Sequence, residues 1–333
     1  MNGVPAILVT NKNNSSKSRI LFYARVALSC AIIIYLLTFL DWERIKNILP
    51  QLRLAFIWQA FVLLLLSIVA MSVRWSILLR QFNVRQNILI SWRHYMIGFF
   101  YGKMLPGVIG GDLVRLGLSM KQHRNHKSIL VTSVFFERLC GLMVMLMISA
   151  VTVVVAPTFL QQDESVFSVI YNVAVLCILL FVLFFAVLKS LPGKWFTVRD
   201  VRGFRSRTCA VLGKIRTLSV AAIFIVLLLS FMAHFFDIVG SYYLAKAIHI
   251  DLPLSFFLAI MPMVYLVTVL PISLGGLGVR EGALAFFLIM VGVIPSDAVL
   301  LGVLIYLTRI VVALTGGIVQ FTDYKQHENL PQV

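Results

Sequence analysis

The chain alternates long apolar runs with short polar or basic stretches. At about 1.5 Å of rise per residue, an apolar helix of roughly 20 residues crosses the ~30 Å hydrocarbon core of a bilayer. Several runs reach that length, so the sequence predicts an all-α polytopic membrane protein. The six predicted spans are about Ile20–Leu40, Leu54–Leu79, Ile129–Ala156, Val166–Leu188, Leu218–Ala247 and Ala298–Phe321.

Two further apolar regions, about Trp92–Leu118 and Pro253–Val293, are interrupted by proline and glycine. After Pro106, about twelve residues precede the next basic stretch, which is roughly 18 Å of helix and too short to span. We therefore predict two re-entrant helical hairpins. Non-helical backbone at that depth must be buried by protein or must line a cavity.

The two interrupted regions repeat one another. Residues 105–117 read LPGVIGGDLVRLG and residues 270–282 read LPISLGGLGVREG, which agree at seven of thirteen positions at a shift of 165. The same shift places the second predicted span on the fifth and the third on the sixth. Loop charges give the paired spans opposite directions, which predicts an inverted repeat. The alternative is coincidence among glycine-rich apolar segments.

Composition agrees with a membrane protein. The chain is 60% apolar and 13% charged, with a mean hydropathy of +0.97, whereas a soluble domain carries about twice that share of charge. A net charge of +16 in a soluble protein would indicate a nucleic-acid partner. Here the basic residues lie between apolar runs, where the positive-inside rule accounts for them, so we expect no nucleic acid. The four cysteines lack metal-ligand spacing and are interpreted as small core residues.

Lysine and arginine in the loops set the orientation. The 189–216 loop holds eight basic residues against Asp200 and is predicted to be cytoplasmic, whereas 157–165 holds two acids and no base and is predicted to be external, as is 248–252. The 41–53 loop has mixed charge and is the weakest point. The predicted organisation, in the inner cell membrane, is a cytoplasmic tail at 1–19, a first repeat at 20–156, a second repeat at 157–321 and a cytoplasmic tail at 322–333.

Each interrupted region reads as helix, break, helix. Proline ends a helix and glycine permits tight or left-handed backbone. A broken helix presents free N–H groups and a positive dipole end to an anion such as a phosphate head group. Arg115 and Arg280 follow the two breaks and add bidentate donors; the alternative is that the glycines serve close helix packing. The predicted break residues are Pro106, Gly110, Gly111, Pro271, Gly275, Gly276 and Gly278.

Other charges fall inside predicted spans, where they are costly and normally face the interior and pair. Glu137 and Arg138 are adjacent and must point to different sides of their helix, so each needs its own partner. Asp112 and Arg115 can pair at i,i+3. The remaining charges are Asp237 with nearby His234, Arg309, and Arg25 and Arg74, which we expect to snorkel towards the cytoplasm. His234 is expected to be a satisfied core residue, and structural ion pairing is an equal alternative for each charge.

Signatures of enzymes are absent. The sequence contains no Walker loop, no GxSxG and no zinc motif. We expect no catalytic activity, no cofactor and no bound metal, and no ATP-driven transport by this chain alone.

The ordered motifs are similar to those of a known family. LPGVIGGDLVR at 105–115, FFERLCGL at 135–142, LPISLGGLGVREGAL at 270–284 and the pair Tyr306 and Arg309 resemble the flippase-like transmembrane domain of lysylphosphatidylglycerol synthases and their stand-alone relatives. The resemblance implies movement of a lipid between leaflets, such as aminoacylated phosphatidylglycerol, and links the family to polyprenyl-linked glycan or hopanoid pathways. It gives functional weight to Asp112, Arg115, Glu137, Arg138, Arg280, Glu281 and Arg309. The chain ends about twelve residues after its last predicted span, so we expect no synthase activity.

Three hypotheses follow. The first is a translocator whose cavity binds a lipid head group while the tails stay in the bilayer. The second is a non-transporting subunit that recruits or regulates a lipid- or glycan-modifying enzyme through its basic loop. The third is a membrane-embedded transferase using Glu137, Glu281 or Asp237 as a base. Fold alone does not identify the substrate.

Overall fold

The protein is described by a computed structural model that covers residues 27–104, 110–155, 212–269, 276 and 278–328, with isolated residues between 168 and 190. Within these ranges the chain is helical and contains no strand. The helices are α1 (Ala27–Leu37), α2 (Trp42–Ile48), α3 (Leu54–Gln81), α4 (Ile88–Met104), α5 (Gly110–Gln122), α6 (Lys127–Val155), α7 (Val220–Ala247), α8 (Leu254–Val269), α9 (Val279–Met290) and α10 (Pro295–Glu328).

Four helices in the described part of the chain are long and apolar enough to cross a bilayer: α3, α6 with the turn before it, α7 and α10. They confirm four of the six predicted spans. Helix α1 lies within the first predicted span, of which residues 20–26 lie outside the described residues, as does about half of the fourth span. Large apolar side chains point outwards from these helices, among them Trp58, Phe224 and Ile318, each about two thirds exposed. Such a surface is suited to lipid rather than water.

The same succession of elements occurs twice. Helices α3 to α6 and helices α7 to α10 follow the same order of lengths: a 28-residue helix, a shorter helix, a helix of 13 or 12 residues and a long helix. Packing follows the same scheme, because α4 packs on α10 of the other half and α8 packs on α6. In each region the two shorter helices are separate elements, α4 and α5 in the first and α8 and α9 in the second, and the proline and glycine motifs fall between them in the sequence.

The equivalent helices α3 and α7 lie side by side and run antiparallel. Phe56 near the start of α3 stacks on Tyr243 near the end of α7, with ring centroids 5.8 Å apart. Towards the other end, Arg74 donates a 2.8 Å hydrogen bond to Ser230. Close approach is possible about one turn from the Phe56–Tyr243 stack because Gly240 has no side chain, and a Cβ there would lie 3.4 Å from the carbonyl oxygen of Ala60.

Helices α4 and α5 form a tight antiparallel hairpin. A Cβ on Gly102 would lie 3.3 Å from Cα of Gly111, and one on Gly98 would lie 3.3 Å from Cβ of Arg115. Gly111 thus serves close packing, which was the alternative reading of the first motif. In the second motif, Gly276 and Gly278 have φ of +82° and +79°, a left-handed backbone that favours glycine. Pro106, Pro271 and Gly275 lie outside the described residues.

The loops gather at two ends of the bundle. At one end, Arg44 of α2 forms a bidentate ion pair with Asp297 at the start of α10, with both contacts at 2.7 Å. There, too, the amide of Arg53 donates to the carbonyl of Ala247. At the other end, Lys214 bonds to Ser128, 3.0 Å away. The mixed 41–53 loop therefore shares an end with 247–252, and its Arg44 is neutralised by an acid.

Candidate functional site: two buried charge clusters and a cavity

Glu137, in the middle of α6, is the centre of the first charge cluster. Its side chain is 1% exposed, and burial of an unpaired carboxylate would cost several kcal/mol. Arg74 donates to Oε1 through Nη2 and Nε at 2.7 and 3.1 Å, and Arg115 donates to Oε2 at 2.7 Å. The hydroxyl of Tyr95 also donates to Oε1. Glu137 thus joins α3, α4 and α5 to α6.

Arg115 connects this centre to a second carboxylate. Besides Glu137 it contacts Asp112, 3.0 Å away and one turn earlier on α5, as the i,i+3 spacing predicted. Its guanidinium also lies over the rings of Tyr95 and Trp75, 4.2 and 4.8 Å from their centroids. Although the side chain is 3% exposed, Nε and Nη1 have no hydrogen-bond partner among the described residues. Buried donors of this kind normally find a partner.

Arg138 is the most exposed charged residue of this network and pairs with Asp112. Its Nη2 and Nε lie 2.5 and 2.6 Å from Oδ2 of Asp112, and the side chain is 46% exposed. The prediction that Glu137 and Arg138 point to different sides and pair separately is confirmed. The structure brings four of the sequence-predicted residues into one network: Asp112, Arg115, Glu137 and Arg138.

Asp237 on α7 is the centre of the second cluster. Nη2 of Arg309 on α10 lies 2.9 Å from each of its carboxylate oxygens and donates a 2.7 Å hydrogen bond to the hydroxyl of Tyr265 on α8. Both charged side chains are 14% exposed. Arg309 therefore has a structural partner, which the sequence left unidentified.

The two clusters share one architecture with the charges exchanged. In the first half, the arginine (Arg74) is on the first long helix and the acid (Glu137) is on the last. In the second half, the acid (Asp237) is on the first long helix and the arginine (Arg309) is on the last. A tyrosine from the intervening helix completes each cluster, Tyr95 in one half and Tyr265 in the other.

Arg280 and Glu281 form a separate pair at the start of α9. Arg280 contacts Oε1 of Glu281 at 2.5 and 3.1 Å, and Oε2 of Glu281 accepts a 2.9 Å hydrogen bond from the amide of Gly278. The helix N-terminus that the sequence offered to a phosphate is thus capped by the chain's own carboxylate. Arg280 and Arg115, the two equivalent arginines, have different carboxylate partners.

Lys103, at the end of α4, is a charged residue that sequence reasoning missed. Its ammonium lies 5.7 Å from the ring centroid of Phe99 and 5.6 Å from that of Tyr306 on α10. The ion pairs Arg280–Glu281 and Arg309–Asp237 are near enough to act on this ammonium electrostatically. However, no carboxylate of the described chain lies within ion-pair distance of it. Arg280 lies over the same Tyr306 ring at 5.7 Å. A lysine one turn before Pro106, inside an apolar stretch, was the available signal.

A cavity of about 260 Å³ opens between α3, α4, α5 and α6. Its polar wall consists of Lys103, Arg115, Arg138, Asp112 and Tyr95. Ile68, Met71 and Phe99 form an apolar wall, and glycines of the α4–α5 hairpin form its edge. The described lining includes Arg115 but not Arg280, so only one of the paired arginines reaches this space.

Two expectations need correction. Arg74 does not snorkel; it is 5% exposed and holds Glu137, because a buried carboxylate stabilises the charge more than a distant interface does. Arg25 lies outside the described residues. His234 is buried as expected, but its Nε2 has no hydrogen-bond partner among the described residues. No metal-binding group of histidine, cysteine and acidic residues occurs in the part of the chain that the structure describes.

Comparison with known proteins places this fold in a family. No curated protein matches the chain. The sequence profile of the lysylphosphatidylglycerol synthase TM region matches residues 23–317, nearly the whole chain and all of both charge clusters. The protein is a multi-pass membrane protein that belongs to the family of the lysylphosphatidylglycerol synthase TM region.

Proposed function

We propose that the protein is a lipid translocator that moves a phosphate-bearing lipid between the leaflets of the inner cell membrane. The observation that carries the proposal is the cavity beside Lys103, Arg115 and Arg138, which combines cationic groups with an apolar wall within the bundle. Such a site accommodates a charged head group while the acyl chains remain in the bilayer. Cations within the membrane are costly and mark substrate sites.

Inverted-repeat architecture would provide the movement. Two related halves whose equivalent helices run antiparallel are the arrangement in which one half rocks against the other to expose a central site alternately. The antiparallel α3 and α7 support this interpretation. So does the packing of α4 and α8, each of which packs against the last long helix of the other half. With 13 and 12 residues, α5 and α9 are about 20 Å long, shorter than the bilayer core, which favours re-entrant hairpins.

The transferase hypothesis is the weaker one. Each of its three candidate bases accepts hydrogen bonds from an arginine: Glu137 from Arg74 and Arg115, Asp237 from Arg309, and Glu281 from Arg280. A carboxylate engaged in this way has to break an ion pair before it can act as a general base. This pairing supports a protein without catalytic activity.

The proposal is tested by reconstitution into vesicles. Fluorescent lipids with different head groups are added, and quenching of the outer leaflet then reports exchange. We expect faster exchange than in protein-free vesicles for at least one phosphate-bearing lipid. Exchange no faster than in empty vesicles over the whole panel, with protein that remains folded, would sink the translocator and favour the non-transporting subunit.

A further inference from the structure

We propose that the cavity is selective for a lipid with a net negative head group, that it excludes head groups with net positive charge, and that Lys103 is the phosphate ligand that decides this. The inference deepens the proposed function, because it names the substrate class of the same site. It also discriminates within the family, since an aminoacylated lipid such as lysylphosphatidylglycerol carries extra amines.

Charge balance around the cavity is the first argument. Arg74 and Arg115 pair with the carboxylates of Glu137 and Asp112, whereas the ammonium of Lys103 lies within ion-pair distance of neither. Lys103 is therefore a cation of the cavity wall with no ion-pair partner among the described residues. In the second half, Arg309 pairs with Asp237 and Arg280 pairs with Glu281, so these charges balance one another.

The acids of the buried charge clusters are already paired. They are Asp112 on α5, Glu137 on α6, Asp237 on α7 and Glu281 on α9. Each of the four is already bound to arginine. The segment 105–109, which begins two residues after Lys103, and the segment 270–275 contain no charged residue. A bound anion is therefore the available source of compensating charge within the membrane.

Lys103 gives the anion its contact. Arg115 lies beside it, but its Nε and Nη1, which have no partner among the described residues, are buried and do not face the open cavity. Lys103 directs its ammonium towards rings rather than towards a carboxylate. Both residues line the cavity. An ammonium is a compact phosphate ligand, and its charge-assisted hydrogen bonds are stronger than neutral ones.

The apolar wall identifies a lipid as the source of the phosphate. Ile68, Met71 and Phe99 line the same cavity as the cations, and a small soluble phosphate would gain nothing from them. Conversely, a head group with a net positive charge would bring its ammonium beside that of Lys103, which no described carboxylate pairs. Repulsion of that kind is an effective way to reject a near-identical ligand.

The test measures binding to the full chain in detergent. Apparent affinity is read from thermal stabilisation during titration with phosphatidylglycerol, with lysylphosphatidylglycerol of the same acyl chains, and with glycerol 3-phosphate. We expect phosphatidylglycerol to bind at least about tenfold more tightly than its lysyl derivative, the size of one charge-assisted contact. Glycerol 3-phosphate is expected to bind far more weakly than the lipid.

Three variants assign the effect to Lys103. Lys103→Met should weaken phosphatidylglycerol binding at least about tenfold, Lys103→Arg should retain most of it, and Lys121→Met, an exposed control on α5, should leave it unchanged. Equal affinity for the two lipids, or full affinity in folded Lys103→Met, would overturn the inference. If glycerol 3-phosphate bound as tightly as phosphatidylglycerol, the claim that the phosphate belongs to a lipid would be wrong. Selective binding without exchange would reject the translocator and keep the site.

Discussion

Arg74 of α3 donates two hydrogen bonds to a single carboxylate oxygen of Glu137, 63 positions later in the chain, at 2.7 and 3.1 Å. Its third nitrogen, Nη1, donates to Ser230 of α7 at 2.8 Å. One buried guanidinium therefore joins the two halves of the protein and compensates a buried acid. Breaking a buried ion pair typically costs about 3–5 kcal/mol, so this contact governs the first prediction.

Replacing Arg74 by lysine should destabilise the protein more than replacing Arg309 by lysine. Arg74 uses three nitrogens in different directions, whereas all three hydrogen bonds of Arg309 come from Nη2. A lysine ammonium can imitate the second arrangement but not the first. We expect a loss of about 1.5–3 kcal/mol in Arg74→Lys and a smaller loss in Arg309→Lys, measured by unfolding in mixed detergent micelles. Equal losses would contradict this account.

Two glycines of α5 should respond to alanine in opposite ways. A Cβ on Gly111 would lie 3.2 Å from the carbonyl carbon of Gly98 and 3.3 Å from Cα of Gly102, which are parts of a backbone that cannot turn away. A Cβ on Gly117 would meet no atom of the described chain within 4 Å. Gly111→Ala should therefore open the hairpin and lower the thermal midpoint. Gly117→Ala should be neutral or stabilising by up to about 1 kcal/mol, because alanine is the better helix former.

Gly117→Ala is the control for Gly111→Ala, because it makes the same substitution in the same helix. A general effect of a Gly→Ala change in α5 on expression or insertion would therefore appear in both variants. A Gly111→Ala protein as stable as Gly117→Ala would mean that α4 and α5 do not pack closely. Exchange of a fluorescent lipid in both variants shows whether hairpin closure also shapes the cavity.

Arg115→Lys and Arg280→Lys should differ in lipid exchange. Arg115 lines the cavity and lies over two aromatic rings, whereas Arg280 pairs with Glu281 and is not among the residues that line the cavity. Lysine keeps the charge but loses the planar fork. We expect Arg115→Lys to reduce exchange strongly while insertion is retained, and Arg280→Lys to have the smaller effect. Parallel losses of exchange and stability in Arg115→Lys would instead assign a purely structural role.

Labelling of single cysteines tests the orientation. After the four native cysteines are replaced, Thr217→Cys should react only from the cytoplasm and His249→Cys only from outside. The structure places Lys214 beside Ser128 at one end of the bundle and Ala247 beside Arg53 at the other. The density of lysine and arginine in 189–216 predicts that the first end is cytoplasmic. Reaction of Thr217→Cys from outside would remove the charge argument for an inverted repeat.

Local patterns determined the helices, the breaks and the nearest charge contacts of this protein. Apolar run lengths gave four spans that the structure confirms, and proline with glycine marked both interruptions. The pair of Asp112 with Arg115 followed from helical spacing alone, as did the divergence of Glu137 from Arg138. These features depend on residues within a few positions of one another, so the sequence contains them directly.

Only the tertiary structure decided which distant charges meet. Arg74 finds Glu137, Arg309 finds Asp237, and Lys103 meets Tyr306 across more than 200 positions. A soluble helix shows its buried face as an apolar stripe, but a helix in lipid is apolar on all sides. Its sequence therefore does not show which face turns inwards. That information arises when helices far apart in the chain pack and leave the buried charges facing one another.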